Sequence, residues 1–121
     1  MKKTKMRPQS DGNTWSQDQQ IQFELANDTL TSLSAIFSRI SYNIDDKEKA
    51  EVYFSKALEL HKERHIFNGF DDDIVKDIVQ TYSALIREYH DMKQNSRELA
   101  QVGLPDKFFT TRVDYGKYGR E

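Results

Sequence analysis

Phe23, Ala26, Leu30, Leu33, Phe37, Ile40 and Ile44 follow one another at spacings that alternate between three and four residues. That alternation places all seven side chains on one face of an α-helix, and no proline interrupts the run. The pattern predicts a helix over about 17–44, roughly 40 Å long at 1.5 Å of rise per residue. Ile36 and Tyr42 flank the stripe, and Ser16 with Gln19 fits a capping box at its start. A stripe that long has to be covered along its length, which calls for other helices laid beside it.

Two further stripes supply them. Asp45 and Asp46 interrupt the first pattern, and Asp45 with Glu48 reads as the next N-cap. Ala50, Tyr53, Phe54, Ala57, Leu60 and His61, with Leu58 at the margin, then predict a helix over about 46–67, stopped by Asn68 and Gly69. Asp71, Asp72 and Asp73 open a third helix, with Val75, Ile78, Tyr82, Leu85, Tyr89 and Met92 as its stripe. Leu99 and Val102 prolong it past a polar stretch, and Gly103 and Pro105 end it, giving about 72–101 with a bend near Asn95–Ser96. Short connections make successive helices antiparallel neighbours. No strand pattern of comparable strength exists. The fold class expected is all-α, an up-down-up bundle of three long helices over 14–103. An irregular basic arm (1–13) precedes it and an aromatic, basic tail (104–121) follows.

Composition narrows the class of protein. Charged residues reach 31% and hydrophobic ones only 36%, which argues against a sheet covered on both faces. No window approaches the ~18–20 apolar residues of a membrane span. The absence of cysteine removes a disulfide framework and thiolate chemistry. The first residues lack an apolar secretory core, so a cytoplasmic location is expected. The net charge of −2 conceals a basic arm (Lys2, Lys3, Lys5 and Arg7 against Asp11) and an acidic middle. Such a middle points away from nucleic acid, because phosphate contacts need clustered cations. The helical stripes are narrow and suit coiled-coil-like packing, so burial completed by a second copy, a homo-oligomer, is a natural expectation.

Chemistry-bearing patterns are sparse. His61 and His65 stand four apart on one helix, a spacing at which two imidazoles can share a metal ion. Lys62 follows the first histidine where a metalloprotease helix carries glutamate. A metal-dependent helical enzyme or ligand-binding bundle using His61 and His65 is thus the alternative of last resort. Asp71, Asp72 and Asp73 suit the positive end of a helix dipole and lack the spacing of a calcium loop. No glycine-rich phosphate loop exists, and no serine sits in a nucleophile elbow. The expectation is therefore a non-enzyme with no catalytic residue, no cofactor and no metal. The tail is the denser signal: Phe108, Phe109, Arg112, Tyr115 and Tyr118 lie together after a clear helix stop. Aromatic side chains and arginine are favoured at interface cores, so these five are the candidate binding residues. The competing reading folds Phe108 and Phe109 back over the open end of the bundle.

The first hairpin, over 33–62, resembles a single tetratricopeptide repeat. Phe37 and Ser38 match the large–small pair of that motif's first helix, and Ala50, Phe54 and Ala57 match the small–aromatic–small pattern of its second. Ser34 and Ser41 stand where the family usually carries aromatics, and Lys62 replaces the closing proline. The resemblance implies a protein-interaction role without catalysis. The leading expectation is a small regulator, adaptor or inhibitor that acts by occlusion or scaffolding on another protein. The alternative is an antagonist carried by a phage or plasmid, similar in layout to bacteriocin immunity proteins.

Overall fold

A computed structural model describes residues 17–66, 72–92 and 95–118. The basic arm, the Ser16 cap, the Phe67–Gly69 helix stop and Asp71 lie outside the described residues. The elements are α1 (Gln17–Ser41), α2 (Lys47–Glu63), α3 (Asp72–Asp91), α4 (Ser96–Val102), α5 (Lys107–Thr110) and a 3₁₀ turn, η1 (Tyr115–Tyr118). No strand occurs among the described residues, and none of their helices is long and apolar enough to cross a membrane. The protein is an all-α bundle of three long helices.

Helix α1 is the spine. It packs along both α2 and α3 and touches α4, whereas close backbone contact between α2 and α3 is slight. Its stripe explains this role: Ala26, Leu30, Leu33, Phe37 and Ile40 are buried, and Ile36 and Thr29 widen the buried face toward a second neighbour. Phe23 and Ile44 sit half-buried at the two ends. The helix stops at Ser41, short of the expected 44, because Asn43 caps it. Its side-chain amide donates to the Arg39 carbonyl at 2.9 Å, and its backbone N–H donates to Ile40 at 3.0 Å.

The other boundaries shift for similar local reasons. The cap of α2 is Asp46 rather than Asp45: its carboxylate accepts from the N–H groups of Glu48 and Lys49. Helix α2 is assigned only to Glu63 because its chain then tightens into i→i+3 bonds from Arg64, His65 and Ile66. The expected third helix is two helices. Asn95 and Glu98 form a complete capping box that restarts the chain as α4.

The stripes of α2 and α3 diverge in accuracy. On α3, Val75, Ile78, Tyr82 and Leu85 are buried as expected, joined by Ile74, with Tyr89 and Met92 half-buried. On α2, Tyr53, Ala57 and Leu60 are buried, but Phe54 is 42% exposed and His61 is also exposed. In their place Lys56 and Glu63, both charged, are buried. The buried face of α2 is therefore rotated away from Phe54, toward a neighbour that is not another long helix.

That neighbour is the C-terminal segment. Leu104, Phe108 and Val113 belong to the same apolar core as the helices, and Phe108 has no exposed surface at all. Removing a fully buried phenylalanine costs about 3–5 kcal/mol through lost burial and the cavity left behind. Phe108→Ala should therefore destabilise the protein to urea about as much as Phe37→Ala. A loss under about 1 kcal/mol would show that the segment is peripheral to folding.

Candidate functional site

The site is the channel between α2 and α3, floored by α1 and filled by residues 104–118, which we call the strap. The strap begins where α4 ends. Gly103 closes α4 with its N–H on the Leu99 carbonyl at 2.7 Å, at φ +84° and ψ 155°, a conformation open essentially to glycine alone. The next residue is already gripped: the Leu104 N–H donates to the Tyr53 hydroxyl at 2.8 Å.

From there the strap's partners advance along α2 and retreat along α3. On α2 they are Tyr53, then Glu59, then Glu63. On α3 they are Glu88, then Tyr82, then Asp77. The strap thus runs parallel to α2 and antiparallel to α3. Phe108 is sealed in the core, and the Phe109 ring stands edge-on to Tyr53 at 5.0 Å and to Phe37 at 5.3 Å. The Lys107 ammonium pairs with Glu88 at 2.6 Å. Arg112 is exposed and reaches Glu59 at 3.8 Å, a rim contact worth little by itself.

The centre of the channel is a hydrogen-bonded node. Glu63 Oε1 accepts from the Tyr82 hydroxyl at 2.8 Å and from the Tyr115 hydroxyl at 2.6 Å. The Tyr82 hydroxyl in turn accepts the Val113 N–H at 3.1 Å. Burial raises the Glu63 carboxyl above its ordinary value, and the two tyrosine hydrogen bonds only partly offset this. Burial, reinforced by the Glu63 charge, pushes Tyr82 and Tyr115 far up, so both remain donors. At the strap's end Tyr118 donates to Asp77 Oδ2 at 2.9 Å, and the Lys117 ammonium lies 3.5 Å from the same oxygen. Burial alone would raise Asp77; the bonds from Tyr118 and Thr81 and the Lys117 charge outweigh it and hold that carboxyl low. Glu59 is also held low, chiefly by the hydrogen bond from Lys56 and against some burial.

The five residues singled out in the tail are therefore brought into one channel and not onto one outward surface. Phe108 is internal, Phe109, Tyr115 and Tyr118 are half-buried, and Arg112 faces solvent. His61 on α2 and His65 in the turn that follows it are both exposed, with their rings 6.2 Å apart. No cluster of three or more metal-ligating side chains occurs among the described residues. The receiving residues, Tyr53, Glu59, Glu63, Asp77, Tyr82 and Glu88, were not singled out by sequence as a group. The available signal was charge: an acidic body beside a tail whose aromatic residues alternate with cations. Comparison with family models, with curated proteins and with solved structures returned no match.

The node gives stability an unusual pH profile. Glu63 has a raised folded value, so its contribution grows as pH falls from neutral toward its ordinary 4.5. Glu59 and Asp77 have lowered folded values, so their contribution is present above 4.5 and 3.8 and lost below them. Thermal stability should therefore rise on mild acidification and then fall. Glu63→Gln, whose amide oxygen still accepts, should remove the rise and keep the fall, as melting temperatures between pH 3 and 7 will show.

Proposed function

We propose that this chain is a non-enzymatic protein-interaction module, a small regulator, adaptor or inhibitor that works by occlusion or scaffolding. The observation that carries the reading is the seated strap. The α2/α3 channel holds a chain segment by apolar and aromatic anchors, Phe108 and Phe109, with charged and hydroxyl contacts around them. This is the anatomy of a recognition surface, with an apolar centre and a polar rim. In this reading the strap is the channel's own resident ligand, and a partner presenting an aromatic segment rich in cations competes for the same seat.

The tetratricopeptide-like hairpin supports the same class of role. Ser34 Oγ donates to the Ala57 carbonyl at 2.8 Å, so α1 and α2 approach closely at Ala57, a small residue the motif shares, although Ser34 stands where the family usually carries an aromatic. The motif's aromatic, Phe54, projects outward in this chain and does not fill that contact.

Deleting 104–121 is a poor test, since it removes Leu104, Phe108 and Val113 from the core. A peptide of that sequence, added to the full-length protein, leaves the core intact. Its apparent affinity depends on how often the resident strap is out of the way. Arg112→Glu with Lys117→Glu breaks only rim pairs of the resident strap. Labelled peptide should bind saturably, about tenfold more tightly to this double variant than to wild type. Absence of saturable binding to either protein, or equal binding of a scrambled peptide, overturns the reading.

A further inference from the structure

Three features of the strap point in one direction. First, its contacts with the body have a single polarity. The Leu104 and Val113 N–H groups, the Tyr115 and Tyr118 hydroxyls, and Lys107, Arg112 and Lys117 all donate or carry positive charge. The Tyr53 and Tyr82 hydroxyls and Glu59, Glu63, Asp77 and Glu88 all accept or carry negative charge. A second copy of the chain presents the same complementary segment. Second, none of these contacts depends on strap and channel belonging to one chain. Third, the turn that returns the strap onto its own body rests on Gly103, at φ +84° with the Tyr53 hydroxyl 3.4 Å from where a Cβ would stand.

Resting on the reading of the channel as a segment-binding site, we infer that the strap exchanges between copies. Residues 104–118 of one chain seat in the α2/α3 channel of a second copy, and the second strap returns the exchange. The polar and aromatic contacts made from Lys107 to Tyr118 carry over to the swapped dimer, so concentration sets the balance between the two forms. Reciprocal exchange closes with two-fold symmetry and leaves no channel empty. Gly103 itself meets no steric penalty in the returning turn, whereas a side chain at that position would resist the returning form and leave the exchanged one unhindered.

The absence of cysteine makes the test clean. Glu59 and Arg112 form an exposed rim pair and neither touches the Phe108 and Phe109 anchors; Glu59→Cys also releases Lys56, so its melting temperature is measured beside that of the wild type. Full-length Glu59→Cys and Arg112→Cys chains are mixed, incubated at increasing concentration and treated with a short bis-maleimide. The double variant carrying both substitutions is treated in parallel. Exchange predicts a cross-link that joins position 59 of one chain to position 112 of another, rising with concentration and identified by peptide mapping. Gly103→Val, which strains only the returning turn, should raise that yield several-fold. A link confined within single chains of the double variant, with no mixed dimer at any concentration, overturns the exchange and leaves the channel reading intact. No link of either kind between the two positions overturns the seating itself, and with it both readings.

Discussion

One carboxylate oxygen joins three parts of this protein. Glu63 Oε1 on α2 accepts hydroxyls from Tyr82 on α3 and from Tyr115 on the strap. Because α2 and α3 make little direct backbone contact, the node and the strap beside it are what bind their facing flanks across the channel. The energetic stakes are set by burial. A buried carboxylate without partners is costly, and a hydroxyl left unpaired beside it costs again, so the three groups stand or fall together. Tyr82 extends the chain of bonds by accepting the Val113 N–H, which pins strap backbone as well as side chain.

The node also accounts for the composition of α2. A helix in a simple bundle would bury Phe54 with Tyr53 and leave Lys56 and Glu63 in water. Here the strap covers the opposite flank, so Phe54 turns outward while Lys56 pairs with Glu59 and Glu63 meets the tyrosines. Shielding by Phe108, Val113 and Leu104 is what makes those polar contacts matter, since the same pairs in water would be worth little. Apolar anchors and polar contacts thus depend on each other along the whole strap.

Much of the architecture was legible in the sequence. The alternating stripe from Phe23 to Ile44 located the central helix, and Val75 to Leu85 located the buried face of α3, because a 3.6-residue period leaves few alternatives. Boundaries were less legible where capping decided them. Asn43, Asp46 and the Asn95–Glu98 box each moved an end by a local hydrogen bond that competes with equally good residues nearby. The density of aromatic and basic residues in the tail marked it as important. Their direction was not legible, because a segment able to cover a channel and one able to contact a partner use the same residue types.

The sequence by itself determined the three long helices, their order and the apolar faces of α1 and α3, since each follows from periodicity within one continuous stretch. Tertiary structure alone decided that the strap lies between α2 and α3 and that Tyr53, Glu59, Glu63, Asp77, Tyr82 and Glu88 form its seat. Those partners stand some 19 to 53 residues from the strap groups they meet. No local spacing encodes such pairings. They arise only once α1 has set α2 and α3 apart at a width that a single segment of short helical turns can fill.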